Sequence, residues 1–126
     1  MLVVDASVFV NSLLSPSLDL DLDLDRLQVA APSVVDLEVY GVWRRLMLQG
    51  VITASDAREG IELYSAMRIL RHEHVLLLPR IWQLRHDVTA FDAAYVALAE
   101  ALGAPLLTAD HKLARTASRY CDVVTV

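Results

Sequence analysis

Two spacings of apolar residues alternate along this chain. Short continuous apolar runs mark covered strands, and recurrence every three or four positions marks amphipathic helices. Leu2, Val3 and Val4 form the first run, ended by Asp5. Residues 6–14 read as a helix with Asp5 or Ser7 at its cap, broken by Ser15-Pro16-Ser17. Residues 18–25 alternate Leu and Asp without exception. That period suits a half-buried strand, yet aspartate disfavours strands, and a helix of this pattern has no apolar stripe. Aspartates cannot face a covered interior without partners, so this stretch is expected at an edge or in a loop, outside the central sheet. Val29-Ala30-Ala31, closed by Pro32, is a second short strand. Ser33 and Asp36 offer a capping pair for a helix that runs to about Gln49 and stops at Gly50, with Val35, Val39, Val42 and Leu46 as its stripe. Thr53 or Ser55 caps the next helix, which reaches Leu70 or Arg71. The apolar run 75–78 reads as a strand stopped by Pro79, followed by a short helix over 80–86.

The clearest pattern lies at 89–110. Thr89 caps a helix, with Asp92 three residues on, close to a capping box. Phe91, Ala94, Tyr95, Leu98 and Leu102 keep helical spacing. Gly103 stands where a left-handed cap is expected, and Pro105 forbids continuation. Leu106-Leu107-Thr108-Ala109 is a fully covered strand, with Asp110 at its carboxyl end. Residues 111–119 form a last helix and 121–126 a terminal strand. Val- and Leu-rich strands separated by helices predict an α/β fold: a three-layer sandwich around a mostly parallel sheet of four to five strands. Residues 1–126 form one domain, with no internal repeat or linker.

Composition narrows the function. The chain is 56% hydrophobic with a mean hydropathy of +0.43, an excess for one small core that points to a partner-covered surface. Charges interrupt every apolar segment, so no membrane span is expected, and no basic stretch precedes the first apolar run as in a signal peptide. A lone cysteine, Cys121, excludes an internal disulfide and suits a reducing cytoplasm. The net charge of −5 argues against nucleic-acid binding through a broad basic face. Any such role requires metal ions or local arginines.

Four acids carry the candidate chemistry. Asp5 and Asp110 each end an apolar strand, so a parallel sheet sets both at one edge, where α/β sheets bind ligands. Asp92 starts the helix that feeds the second strand, and Glu38 lies in an early helical turn near the same edge. Each has an ordinary structural role open to it, as a cap or a first-turn acid. Together they repel unless a cation lies between them. Oxygen-only ligands select hard ions such as Mg²⁺ or Mn²⁺, which activate water against a phosphodiester.

Four segments also carry a family resemblance: Val-Val-Asp-Ala-Ser-Val-Phe-Val at 3–10, Leu-Glu-Val-Tyr-Gly-Val-Trp-Arg-Arg-Leu at 37–46, Thr-Ala-Phe-Asp-Ala-Ala-Tyr-Val-Ala-Leu-Ala-Glu at 89–100, and Leu-Leu-Thr-Ala-Asp-His-Lys-Leu-Ala at 106–114. In this order they resemble the motifs of PIN-domain ribonucleases, above all the VapC-type toxins of toxin–antitoxin modules. The resemblance implies a cytoplasmic endoribonuclease toxin. Asp5, Glu38, Asp92 and Asp110 would be its catalytic, Mg²⁺- or Mn²⁺-binding acids, and Ser7 and Thr108 the small hydroxyls beside the metal. It also implies a homodimer and an antitoxin, which composition suggests independently. The chain departs from the family at 15–27, which is short and Leu/Asp-alternating where an amphipathic helix is usual.

Arg44, Arg45, Arg80, Arg85, Arg115 and Arg119 are candidate phosphate contacts, with Arg45, Arg85 and Arg115 as the substrate-binding set. His72 and His74 lack a third ligand and read as a solvated approach to a strand. Trp43 and Trp82 suit core or interface, and Cys121 a strand core. A dehalogenase-type phosphatase needs a second aspartate where Ser7 stands, and a receiver domain needs paired acids after its first strand. The remaining alternative is a PIN-like scaffold that binds RNA or protein without cleaving. For an open acidic pocket, the fitting inhibitor is an antitoxin arginine or lysine. The faces expected to meet a second copy and an antitoxin helix are those of 33–50 and 91–102, where Val96 and Ala99 lie off the main stripe.

Overall fold

The computed structural model describes residues 1–14 and 26–126, and the Leu/Asp stretch 18–25 lies outside the described residues. Five strands form one parallel sheet in the order β3-β2-β1-β4-β5. They are β1 (Leu2–Val4), β2 (Val29–Pro32), β3 (Ile69–His72), β4 (Leu106–Thr108) and β5 (Val123–Thr125). The helices are α1 (Ala6–Leu14), α2 (Val35–Leu48), α3 (Ala54–Ser65), α4 (Leu78–Gln83), α5 (Ala90–Leu102) and α6 (His111–Ala117). The expected α/β class holds, and the strand order sets where a site can form. From β1 the chain moves outward through β2 to β3, then returns across the sheet to β4. Crossovers of one hand put the helices of the outward and return paths on opposite faces. Accordingly α1, α2 and α3 pack on one another, while α5 lies over β1, β2 and β4 with α4 beside it. The order reverses between β1 and β4, whose register pairs Val3 with Leu106 and Val4 with Leu107. The carboxyl end of that pair is the crevice such sheets offer to ligands.

The central strands are buried as their apolar runs require: Val3, Val4, Ala30, Ala31, Leu106 and Leu107 are all solvent-free. Phe9 of α1 meets Tyr64 of α3 edge-on, at 5.4 Å between centroids. Gly50 and Gly103, the predicted helix stops, have φ of 74° and 59°. That is the left-handed region where a side chain is strained.

Several sequence-based expectations are corrected. The third strand is 69–72, not 75–78, and α3 ends at Ser65 instead of reaching Leu70 or Arg71. The run 75–78 forms a 3-10 turn, Val75–Leu77, leading into α4. A continuous apolar run imitates a covered strand, whereas β3 is, among the described residues, an edge strand paired only with β2 and therefore tolerates Arg71 and His72. Ser33 and Asp36 do not cap α2, whose cap residue Val34 makes no side-chain bond. Ser33 instead donates to the His72 carbonyl, and Asp36 accepts from the Tyr64 hydroxyl at 2.7 Å and from Arg71 Nε at 2.9 Å. Burial raises the Asp36 pKa, but Arg71 and Tyr64 outweigh it and the carboxyl is lowered. His72 and His74 are half-buried structural groups, not a solvated approach, with His74 Nε2 accepting the Val34 N–H. On α2, Trp43 replaces Val42 and Leu46 as the buried member of the stripe. Cys121 precedes β5 and hydrogen-bonds the Ala117 carbonyl.

Helix α5 is also not the two-faced surface element expected. Ala93 to Ala99 are buried without a break, Val96 and Ala99 included. Its alanines let the sheet approach closely on one side while the chain's own helices cover the rest, so no face at Val96 or Ala99 remains for a partner.

Candidate active site

Asp5 follows β1 and is almost fully buried. Its Oδ2 accepts from Ser7 Oγ at 2.6 Å and from Thr108 Oγ1 at 2.9 Å. Each hydroxyl, having donated to Asp5, uses a lone pair to receive a backbone N–H from the β4–α6 turn. Ala109 N donates to Ser7 Oγ and Asp110 N to Thr108 Oγ1, both at 3.0 Å. Two parallel relays thus tie the start of α6 to the end of β1 and fix the Asp5 carboxylate. Ser7 and Thr108 thus both stand against the Asp5 carboxylate.

Asp110 is a true helix cap. Its Oδ1 accepts from the N–H groups of Lys112 and Leu113 at 2.9 and 3.2 Å. The structural role expected of a strand-end aspartate is therefore real, and it fixes the side chain at the same edge as Asp5. Asp92 stands in the first turn of α5, which Thr89 caps by accepting the Asp92 N–H. The reciprocal bond of a capping box, present at Thr53 and Asp56, is absent at Thr89. Glu38 comes from the first turn of α2 and accepts from the Tyr95 hydroxyl at 2.8 Å.

Electrostatics show that these groups share one field. Burial raises the Glu38 carboxyl; the Tyr95 hydroxyl pulls it down, and Asp5 and Asp92 push it up further. Burial likewise raises Asp92, reinforced by Asp5 and Asp110 and opposed by Thr89 and Lys112. Glu38 and Asp92 are thus both disfavoured in their charged form by neighbouring carboxylates, Asp5 being common to the two. Among the described residues no three carboxylate, His or Cys side chains gather tightly enough to hold an ion by themselves. An all-oxygen set of this kind does not suit a dehydrated cage. It suits a hard cation that keeps several waters and takes one or two carboxylates.

Arg45, Arg115 and Arg119 are exposed and free to meet phosphate. Arg85 is exposed as well, its guanidinium 4.3 Å from the Trp82 ring centroid. Arg80 is engaged otherwise: it pairs with Glu100 at 3.1 Å and lies over Tyr120. His111 is exposed, Trp43 belongs to the core, and Trp82 is surface. Sequence reasoning missed Lys112, the cation that acts on Asp92, and Tyr95, read only as part of a helix stripe. The signal for Tyr95 was its place one turn after Asp92 on the same side of α5.

The profile of the PIN domain family matches residues 2–119. A VapC ribonuclease of Mycobacterium bovis is 38% identical over 127 residues, covering 100% of this chain and 98% of the relative. Ribonuclease VapC12 of Mycobacterium tuberculosis is 32% identical over 129 residues, covering 100% of this chain and 99% of the relative. Among solved structures, PAE2754 from Pyrobaculum aerophilum superposes with a TM-score of 0.71 at 20% identity, covering 96% of this chain and 82% of that one. VapBC2 from Rickettsia felis, bound to a DNA fragment from its promoter, superposes with a TM-score of 0.69 at 14% identity, covering 98% and 97%. At those identities the structures speak for the fold, and the sequence relatives speak for the family. With its parallel sheet, its acids at the point of strand reversal and these full-length relatives, the chain belongs to the PIN-domain family, with the VapC ribonucleases.

Proposed function

We propose that this chain is the toxin of a toxin–antitoxin module, a single-domain endoribonuclease that hydrolyses RNA phosphodiesters with Mg²⁺ or Mn²⁺. The observation that carries the reading is the shared field of Asp5, Glu38, Asp92 and Asp110 at the carboxyl edge of β1 and β4. Four carboxylates that repel one another make an expensive structural device and a serviceable cation site. When bound, a divalent ion supplies Lewis-acid activation of water and offsets charge on the scissile phosphate. The chain's own residues do the rest. Ser7 and Thr108 hold Asp5 in one orientation, the α6 amides hold Asp110, and the first turns of α2 and α5 bring Glu38 and Asp92 in from either side. Arg45, Arg85 and Arg115 are the cations we assign to the flanking phosphates.

The same acidic edge suits inhibition by an antitoxin arginine, whose planar fork pairs with carboxylates and competes with metal. Asp5→Asn and Asp92→Asn are expected to abolish metal-dependent cleavage while the far-UV circular dichroism stays unchanged. Their combination is expected to be no worse than either alone, because the acids act as a unit. Cleavage by the wild-type protein that persists in excess EDTA would refute the metal mechanism. An intact, folded protein that binds RNA but never cuts it would favour the scaffold reading.

A further inference from the structure

Tyr95 is solvent-free, and its hydroxyl has a single acceptor, Glu38 Oε1 at 2.8 Å. A buried phenol needs an acceptor, and a backbone carbonyl would serve stability as well as any. The acceptor here is instead a half-buried carboxylate of the acidic edge, from the first turn of α2. This is the one hydrogen bond the Glu38 carboxylate accepts among the described residues. Tyr95 also follows Asp92 by three residues on α5, so its bond to α2 couples the two helices that supply Asp92 and Glu38.

We propose that Tyr95 is a positioning residue: its hydroxyl occupies Oε1 of Glu38 and leaves Oε2 as the oxygen available to a divalent ion. The inference rests on the reading of Glu38 as a metal-binding acid. A glutamate side chain loses considerable rotamer freedom when fixed. Holding it in place before the ion arrives removes that cost from binding, as outer partners of metal ligands generally do.

The test is calorimetric titration of the apo protein with Mn²⁺, which needs no substrate. Tyr95→Phe keeps the ring and removes only the donor. It is expected to weaken Mn²⁺ binding about tenfold, the lower end for such partners. The Mn²⁺ concentration needed for half-maximal cleavage should rise in parallel, with the rate at saturating metal within about twofold of wild type. In a Glu38→Gln background the substitution is expected to change Mn²⁺ affinity no further. A merely structural role predicts a lower melting temperature with unchanged Mn²⁺ affinity, or a loss that adds fully to that of Glu38→Gln; either result overturns the proposal. If Glu38→Gln itself leaves Mn²⁺ affinity unchanged while Asp5→Asn destroys it, the reading of Glu38 fails, and this inference with it. A second measurement leaves Tyr95 in place. In protein labelled with 3-fluorotyrosine at its four tyrosines, one fluorine resonance should shift on addition of Mg²⁺, and that shift should vanish in Glu38→Gln. No Mg²⁺-dependent shift in the wild type would equally overturn it.

Discussion

The four acids differ in the partners they meet. Ser7 and Thr108 satisfy Oδ2 of Asp5, whereas Glu38 and Asp92 sit half-buried with their charge opposed. That difference has a thermodynamic consequence for the metal-free protein. The pKa of Glu38 is raised above its ordinary 4.5 and that of Asp92 above 3.8. A carboxyl raised in the fold binds its proton more tightly there than in the unfolded chain. Its stabilising contribution is therefore complete below the ordinary value and is lost as pH rises through the raised one. At neutral pH both charges work against the fold. Glu38→Gln, which keeps an acceptor for Tyr95, should raise the apo melting temperature by about 2 °C, small because exposure screens the repulsion. The gain over wild type should vanish as pH falls below 4.5. Saturating Mg²⁺ should stabilise the wild type and leave the variant nearly unmoved. Thermal melts at pH 4 and pH 7.5, with and without Mg²⁺, read all three effects. A melting temperature that falls on substitution would mark Glu38 as an ordinary helix-start acid. The acids themselves were legible in the sequence because two of them close apolar strands. Tyr95 and Lys112 were not, because an apolar helix stripe and a first-turn lysine look the same whether or not a carboxylate stands opposite.

Between elements, local chemistry and tertiary pairing divide what can be read from sequence. Thr53 and Asp56 form a complete capping box, with bonds of 3.0 and 3.2 Å, as their spacing predicts. Thr53→Ala should cost about 1 kcal/mol, measured by urea unfolding. The α2–α3 contact carries no such local signal. Gly60 of α3 faces the buried ring of Trp43, and a Cβ there would lie 2.7 Å from two ring carbons. Gly60→Ala adds the better helix former, yet the Trp43 ring, buried in the core, would have to shift to admit it. We expect a net loss of about 1–3 kcal/mol from overpacking, by the same measurement. Stabilisation instead would mean that the ring moves freely. The glycine reads as a helix blemish until the partner helix is known. The misplaced third strand has a related cause. Pairing at a sheet edge requires less apolar sequence than burial does, so 69–72 was passed over for the more apolar 75–78.

For the whole molecule, the apolar excess lies only in part where periodicity placed it: α2 exposes Leu37, Tyr40 and Leu48, whereas Val96 and Ala99 of α5 are buried. Ala93 to Ala99 of α5 are absorbed within the chain while its Phe91 stays exposed, and none of the chain's helices among the described residues is long and apolar enough to cross a membrane. A further group is exposed around the turn into α4 and beside it. Leu76 is 89% exposed, Val75 69%, Trp82 66% and Phe91 57%. Leu78, Ile81 and Ala90 line two cavities, of about 150 and 480 Å³, that join this surface from Phe91 on one side to Trp82 and Arg85 on the other. An exposed apolar patch of this kind marks an interaction site. A second copy can cover it in a two-fold contact, in which the same patch serves both subunits. We therefore expect a homodimer joined through 75–91, with each subunit burying on the order of 800 Å², the area typical of a stable interface. Leu76→Asp together with Trp82→Glu would bring four like charges into that contact across the two-fold. Light scattering at micromolar concentration should report a dimer for the wild type and a monomer for the double variant. Both residues already face solvent, so the monomer's own unfolding free energy should change by no more than a surface substitution allows, about 0.5 kcal/mol each. A wild-type monomer, or a dimer that survives both charges, would assign this surface to the antitoxin instead. Adding antitoxin to the double variant would then fail to suppress RNA cleavage, whereas a dimer contact leaves the acidic edge open to the inhibitor's arginine.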